Sequence, residues 1–258
     1  VKYFLVPNVK NFSWMTVVAA MGQMFYSLSI AMGILITFGS YMKKETSLED
    51  STRNVEVFDT AIAIMAGLMI IPAVFAFSGG DPDTLQAGPA LMFITIPKVF
   101  ENMGFGTVVG ILFFLLVLFA AVTSSIALTE SAVSTFEDEL GWSRRRATVL
   151  VGVIMIALGS LSSLGYGPLV GIKIIGMQFL DFFDFLTNSV MMPIAAMLTS
   201  LFVSRIVGMK RMEDEIMHGE STFRRKKIFI VMIKYLCPVF ALIILISSVA
   251  NAFGWIAM

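Results

Sequence analysis

Residues 20–33 read AMGQMFYSLSIAMG, an apolar run that carries two serines near its middle and ends on a glycine. Polar side chains are costly inside a membrane, where they usually face the protein interior or a water-filled cavity and mark an ion or substrate path. Two other apolar segments have the same character, because Asp59 opens one and Thr123 and Ser124 lie within another, residues 119–128. The candidate functional residues are therefore expected in these three segments.

The composition is that of a polytopic membrane protein. Of the 258 residues, 57% are hydrophobic and only 14% are charged, which is too apolar for an ordinary soluble domain. The net charge of zero gives no indication of nucleic-acid binding. Cys237 is the only cysteine and His218 the only histidine, so neither an intrachain disulfide nor a His/Cys metal cluster is expected. Apolar runs about long enough to cross a ~30 Å hydrocarbon core occupy residues 61–77, 106–128, 148–165, 185–204 and 228–250.

The basic residues predict the orientation of the chain in the membrane. They concentrate in alternate loops, at Lys43, Lys44, Arg144, Arg145, Arg146, Arg205, Lys210, Arg211, Arg224, Arg225, Lys226 and Lys227. The positive-inside rule places these loops in the cytoplasm and the C-terminus outside, and we assign nearly all of the charge runs to topology alone. The predicted crossings are residues 13–42, 57–79, 105–137, 143–162, 175–205 and 226–251. The external loop 80–104 is expected to form two short helices between its prolines and glycines.

The first crossing, residues 13–42, allows two interpretations. Gly22, Gly33 and Gly39 lie along it, and glycine lowers the cost of leaving helical dihedral angles. A non-helical segment at membrane depth is tolerated where it lines a cavity or is buried in protein. Small residues are also common where intact membrane helices pack together. On composition alone, an intact helix is the favoured interpretation.

Four motifs, taken in order, resemble one known family. Residues 22–29 (GQMFYSLS) resemble the broken sixth helix of neurotransmitter:sodium symporters, and residues 120–126 (AAVTSSI) resemble their eighth helix. Residues 136–140 (FEDEL) resemble the cytoplasmic end of that helix, and residues 180–185 (LDFFDF) resemble the start of the tenth. The chain thus looks like the C-terminal half of such a symporter, most like the bacterial amino-acid branch.

The resemblance implies a fold and a domain organisation. The fold is an all-α integral-membrane domain over residues 1–258, formed by the second inverted repeat of a LeuT-like fold plus an eleventh helix. The repeat comprises helices six to ten, of which the sixth is broken. The first five helices of the family would be absent, and this missing N-terminal half is expected to be needed for activity.

The resemblance also implies two sodium sites, each completed by the missing first helix. Ser27 and Asp59 resemble ligands of the first site, and the Ala120 carbonyl, Thr123 and Ser124 resemble ligands of the second. Positions 120, 123 and 124 share one helix face at spacings of i, i+3 and i+4, which supports a common site independently. The alternative is that the Thr123 and Ser124 hydroxyls bond back to carbonyls of the preceding turn. Without the resemblance, that alternative is preferred.

Asp59 departs from the asparagine found in many members of the family. Chloride-dependent members place an anion beside this position and Gln23, so a fixed carboxylate at Asp59 can replace the anion's charge. We therefore expect transport that does not require chloride. The alternative role for Asp59 is to cap the start of the seventh helix, and the two roles are compatible.

The substrate expected from the same comparison is a hydrophobic or aromatic L-amino acid. Met32 stands where some members have phenylalanine, and methionine accommodates varied shapes. The residues expected to line the substrate site are Tyr26, Ser29, Met32, Ser124 and Leu128.

Two gates are also implied. Asp184 resembles the acid of the outer gate, whose arginine partner would lie on the missing first helix, and Tyr26 would close over the substrate beside it. Tyr41, Glu130 and Asp138 resemble the inner gate, where an N-terminal arginine, also missing, would pair with Asp138. Simpler explanations exist for the acids near helix ends, but Glu130 lies in an apolar stretch about one and a half turns from the interface.

These features predict sodium-coupled amino-acid symport by alternating access, with the lipid bilayer, sodium and an amino acid as partners and no enzyme activity. No phosphate-binding loop is found, so an ATP-driven pump is not expected. Rings of charge around a symmetric pore would favour an ion channel, and none is evident in the sequence. An intramembrane enzyme would need paired acids or a serine–histidine or metal constellation. A transport-inactive structural or regulatory subunit remains the main alternative.

Overall fold

The computed structural model describes residues 5–6, 12–77, 88–219 and 222–255, and its regular elements are helices. Within these residues the only β-type contact is an isolated bridge between Ile174 and Met177, which confirms the all-α prediction. The helices are α1 (Trp14–Ser27), α2 (Ile34–Ser40), α3 (Leu48–Phe77), α4 (Ile96–Glu101), α5 (Gly106–Leu140), α6 (Arg144–Leu164), α7 (Phe179–Val207), α8 (Met209–Ile216) and α9 (Lys226–Ala252).

Some of these helices contain wider turns with π-type hydrogen bonding. A π-helical turn at Leu91–Thr95 leads into α4, and α9 contains one at Met232–Leu236. Helix α7 contains two, at Phe185–Met191 and Val203–Val207. Such turns are rare and often occur at functional sites.

Five helices of the described part are long and apolar enough to cross a membrane, namely α3, α5, α6, α7 and α9. The predicted crossings 105–137, 143–162 and 226–251 agree closely with α5, α6 and α9. The predicted crossing 13–42 is different, because the chain forms two short helices there, α1 and α2, with residues 28–33 between them. The broken helix implied by the family resemblance is confirmed, and the intact helix favoured by composition is wrong.

The break has a local cause in the backbone. Ser29, Ala31 and Gly33 all have positive φ angles, of 53°, 63° and 81° respectively. A residue in the left-handed conformation cannot continue a right-handed helix. This conformation costs a non-glycine residue roughly 1–2 kcal/mol. The amide of Ile30 still donates to the Phe25 carbonyl at 2.9 Å, and helical bonding resumes where the Thr37 amide donates to Gly33. Backbone groups between these points are released from the helical ladder.

Helix α3 begins earlier than the sequence predicts. The predicted start is residue 57, whereas α3 starts at Leu48. Its first turn is capped by Ser47, whose hydroxyl accepts a hydrogen bond of 3.0 Å from the Asp50 amide. The first turns are charged and polar, so hydropathy does not reveal them. Asp59 consequently lies inside the helix, and its predicted role as a cap at the start of the helix is wrong.

The contacts divide the chain into two units, one of which contains Asn54–Ile126. In this unit, the π-helical turn before α4 stacks on α5, with the Phe93 and Phe114 ring centroids 6.1 Å apart, and Phe100 of α4 packs edge-on against Phe113 of α5 at 5.5 Å. A Cβ at Gly106 would stand 1.7 Å from the Phe100 carbonyl oxygen, so only glycine fits this contact. The described residues 88–104 of the external loop contain one helical stretch, and its earlier part lies outside the described residues.

The other unit contains Ser13–Arg53 and Ala127–Met258. Helices α7 and α9 pack through buried small and branched residues, among them Ala196, Ala241 and Ile244. The end of α5 and the start of α6 form a hairpin around buried Val133, Ala147 and Val151. Phe136 and Trp142 stack across the turn of this hairpin with ring centroids 5.5 Å apart. This unit positions the polar groups described below.

Candidate functional site

The predicted ligands of the second sodium site lie on one face of α5. Thr123 and Ser124 are exposed. The Thr123 hydroxyl donates to the Phe119 and Ala120 carbonyls, each at 3.0 Å, which is the back-bonding geometry expected from local chemistry. A donating hydroxyl keeps its oxygen lone pairs, and a carbonyl has two, so both oxygens retain the capacity to bind a cation. The sodium role of these residues stays a prediction.

The predicted ligands of the first sodium site occupy different helices. Ser27 is the last residue of α1, immediately before the break, and Asp59 lies inside α3. Both residues make polar or ionic contacts in the structure. Their shared role as sodium ligands therefore stays a prediction.

The predicted substrate residues near the break do not share one cavity. Ser29 lines an open apolar cavity of about 440 Å³, whose other walls come from α1, α2, α7 and α9. Tyr26 lines a more polar cavity of about 330 Å³, together with Asp184. Met32 is partly buried in the break, and Leu128 is exposed on α5. A common substrate pocket for this set, which also includes Ser124, stays a prediction.

A cluster of charged and phenolic side chains joins α2, α5 and α6. The Tyr41 hydroxyl donates to Glu130 Oε1 at 2.7 Å. Arg144 donates to Glu130 Oε2 at 2.5 Å and to Glu137 Oε2 at 3.3 Å. Both oxygens of Glu130 are thereby bonded, and its side chain is only 19% exposed. Tyr41, Glu130, Glu137 and Arg144 are called the Arg144 cluster below.

The Arg144 cluster contains two residues of the predicted inner gate, Tyr41 and Glu130. Asp138, the third predicted residue, is exposed on α5, and the second acid of the cluster is Glu137. The gating role of Tyr41, Glu130 and Asp138 stays a prediction. Arg144 lies in a charge run that the sequence associates with topology, but its guanidinium also pairs with both glutamates. The signal in the sequence is a repeated spacing of seven residues, which puts 130 and 137 on one helix face and 144 just past a tight turn.

Hydroxyl groups hold α2 against α5 next to this cluster. The buried Thr37 hydroxyl lies 3.4 Å from both the Ser131 and Ser134 hydroxyls. A Cβ placed on Gly33 would stand 2.6 Å from Ser131 Oγ, so the backbone at the break approaches α5 closely. This contact and the positive φ angle both favour glycine at position 33. None of these three hydroxyl residues was a sequence-predicted site residue.

The predicted outer-gate residues also come together. Tyr26 of α1 and Asp184 of α7 line the same 330 Å³ cavity, whose wall also includes Gln23, Asn188 and Ser189. The Asn188 side-chain amide donates to Asp184 Oδ1 at 2.5 Å. Asp184 and Asn188 are called the Asp184 pair below.

Comparison with known proteins agrees with this architecture. The sequence profile of the sodium:neurotransmitter symporter family matches residues 1–254. An uncharacterised sodium-dependent transporter of Bacillus subtilis (strain 168), YhdH, is 32% identical over 221 residues, which are 86% of this chain and 48% of the relative. An uncharacterised sodium-dependent transporter of Haemophilus influenzae is 30% identical over 249 residues, which are 96% of this chain and 53% of the relative.

A solved structure is similar as well. The crystal structure of MhsT in complex with L-phenylalanine matches with a TM-score of 0.81 and 36% identity, over 92% of this chain and 54% of MhsT. The chain thus spans about half the length of the relatives it matches. The fold, with its broken helix at residues 28–33, and the profile match over nearly the whole chain lead to the same conclusion. The chain is a multi-pass membrane protein that belongs to the sodium:neurotransmitter symporter family.

Proposed function

We propose that this chain forms part of a sodium-coupled symporter that moves a hydrophobic or aromatic L-amino acid across the membrane by alternating access. The observation that carries the proposal is the break at residues 28–33, whose residues with positive φ angles release backbone groups between α1 and α2. Released amides and carbonyls at membrane depth are suited to bind ions and a polar substrate head group. The family of the chain and the names of its relatives support sodium coupling.

The proposed activity belongs to the complete transporter, in which further helices complete the sites. Sodium coupling requires no covalent chemistry, because ions that bind one conformation better than another shift the equilibrium between conformations. We propose two sodium sites, one with Ser27 and Asp59 and one with Ala120, Thr123 and Ser124. The phenylalanine bound to MhsT supports an aromatic or hydrophobic substrate for this chain. The distribution of basic residues supports a C-terminus outside the cell.

The test is binding of radiolabelled tryptophan and leucine to the complete transporter in sodium and in potassium. We expect saturable binding in sodium that weakens at least about tenfold in a Thr123→Ala plus Ser124→Ala variant, because two cation ligands are lost. Thr135→Ala is the matched control, since its hydroxyl also bonds back within α5, to the Ser131 carbonyl at 2.8 Å. Binding that is equal in sodium and potassium contradicts the proposal, and this result would favour a transport-inactive subunit.

Chloride independence is tested separately in the same preparation. We expect uptake in sodium gluconate to equal uptake in sodium chloride within about twofold, because the Asp59 carboxylate supplies a fixed negative charge. An Asp59→Asn variant should become dependent on chloride, since the amide carries no charge. Collapse of the unmodified protein's uptake in gluconate contradicts this part of the proposal and leaves sodium coupling intact.

A further inference from the structure

The cavity shared by Tyr26 and Asp184 contains a polar group that the family resemblance does not assign. Its lining combines apolar residues of α1 and α9 with a few polar side chains, namely Gln23, Tyr26, Asp184, Asn188, Ser189 and Ser248. Asp184 is the only ionisable acid among these residues. The orientation of its carboxylate therefore determines where negative charge is presented in this cavity.

Asn188 controls that orientation through a direct contact. Its amide donates to Asp184 Oδ1 at 2.5 Å, one helical turn further along α7. Residues four apart on a helix are neighbours, so this contact requires no long-range packing. In the described part of the chain it is the one side-chain hydrogen bond that Asp184 makes. One carboxylate oxygen is thus occupied by a neutral donor, and the other remains able to accept a bond from another group.

The chemistry of the donor matters as much as its position. A lysine or arginine at position 188 would orient the carboxylate but would also neutralise it, and a serine would be too short to reach. An asparagine amide supplies a donor and no charge, so the carboxylate keeps its full attraction for a cationic partner. Asn188 is thus suited to orient the Asp184 carboxylate without cancelling its charge.

The backbone around Asn188 is also unusual. Residues Phe185–Met191 form a π-helical turn, and such turns occur frequently at functional sites. The adjacent Thr187 hydroxyl donates to the Phe183 carbonyl at 2.7 Å, which satisfies an acceptor at the start of the wider turn. The local structure that carries Asn188 is therefore specified by its own hydrogen bonds.

We propose that Asn188 is a positioning residue for the outer gate, which holds the Asp184 carboxylate in the direction required for closure. This inference rests on the proposed function and on the gating role proposed for Asp184. Asn188 itself touches neither sodium nor substrate in this proposal. Its substitution is therefore expected to slow gate closure without changing the affinity for sodium.

The experiment measures sodium-dependent amino-acid uptake by the complete transporter carrying Asn188→Ala or Asn188→Asp. We expect the alanine variant to lower the maximal rate by about three- to tenfold, with the half-saturating sodium concentration changed by less than about twofold. The aspartate variant has nearly the same shape but places a second carboxylate beside Asp184, so it should be slower than alanine. Ser204→Ala is the matched control, because its hydroxyl also bonds within α7, to the Leu201 carbonyl at 3.2 Å, and does not line this cavity; it should stay within about twofold of the unmodified protein.

A double-mutant cycle identifies the partner through which Asn188 acts. In an Asp184→Ala background, Asn188→Ala should have no further effect, to within about twofold, on uptake or on equilibrium substrate binding. Equilibrium binding is included so that slow turnover of the Asp184→Ala variant does not hide the result. An undiminished effect of Asn188→Ala in that background overturns the inference, because Asn188 would then act through packing.

The remaining outcomes separate this inference from the proposed function. Sodium-dependent uptake that is unchanged by Asn188→Ala, or an Asn188→Asp variant as active as the unmodified protein, overturns the inference and leaves the function standing. Absence of sodium-dependent uptake and binding in the unmodified protein overturns the proposed function, and the inference falls with it. If Asn188→Ala folds poorly, as judged by its Tm in detergent, the isosteric aspartate variant carries the test.

Discussion

The Arg144 cluster and the Asp184 pair lie in the same unit of the chain but are built in different ways. In the cluster, three helices contribute side chains, and both oxygens of Glu130 are bonded, one by Tyr41 and one by Arg144. In the pair, one helix supplies both partners, and the acid is bonded by a neutral amide. The cluster therefore ties helices together, whereas the pair only sets the direction of one side chain. Substitutions in the cluster should change stability and function together, and those in the pair should change function alone.

The most direct test of this difference between the two regions is to remove the arginine of the Arg144 cluster. Arg144→Ala removes the cation that pairs with both Glu130 and Glu137 and leaves Glu130 only its bond to Tyr41. We expect sodium-dependent uptake by the complete transporter to fall at least about tenfold and the Tm in detergent to fall with it. Arg145→Ala, which alters the neighbouring residue of the same basic run, is the matched control. Equal effects of the two variants would show that only the positive charge of the loop matters.

The close approach of the break to α5 gives the next largest effect. Gly33→Ala adds a Cβ that would stand 2.6 Å from Ser131 Oγ, at a residue whose φ is 81°. Left-handed geometry alone costs an alanine roughly 1–2 kcal/mol, so the Tm should fall by about 2–8 °C. Gly39→Ala in α2 is the control, because no atom lies within 4 Å of its added Cβ. A Gly33→Ala protein as stable as the Gly39→Ala protein would contradict the observed contact.

The helices and the break differ in how far the sequence determines them. The ends of α6 and α9 follow from hydropathy because apolar side chains fill these helices from one interface to the other. The start of α3 does not, since its charged first turns are held by the Ser47 cap and carry no hydropathy signal. The break is also invisible to composition, because no scale records that Ser29 and Ala31 adopt positive φ angles. Only the resemblance of residues 22–29 to a known broken helix predicts it.

The site is predictable only where its residues belong to a recognised motif. The family pattern groups Tyr41 with Glu130, and these two side chains are in contact, whereas Arg144, which bonds Glu130 and Glu137, belongs to no recognised motif. That contact depends on the tight turn between α5 and α6, which returns residue 144 beside residues 130 and 137. Charge runs in loops usually serve topology, so composition gives no reason to single out one arginine of three. Asn188 was missed for a similar reason, because an amide in an apolar helix has many structural roles.

A smaller substitution sharpens the description of the Arg144 cluster. Tyr41→Phe removes the hydroxyl that donates to Glu130 Oε1 and keeps the ring, which packs edge-on against Phe38 with centroids 6.3 Å apart. Because Arg144 still bonds the other oxygen of Glu130, we expect uptake to fall only about two- to fivefold. Phe38→Leu, measured in parallel, reports the contribution of ring packing. A loss as large as that of Arg144→Ala would mean that the phenol, and not the ion pair, dominates the cluster.

The smallest expected effect is on stability at the Asp184 pair. Asp184→Asn keeps the shape of the side chain and affects a bond made within one turn of α7, so no contact between helices is lost. We expect its Tm in detergent to lie within about 1 °C of the unmodified protein, whereas Glu130→Gln, which weakens bonds to both α2 and α6, should lower the Tm by about 2–4 °C. Both variants remove one carboxylate charge, so the difference between them measures helix tethering and not net charge. If the two Tm values fell equally, the Asp184 pair would also join helices, and the contrast between the two regions would be wrong.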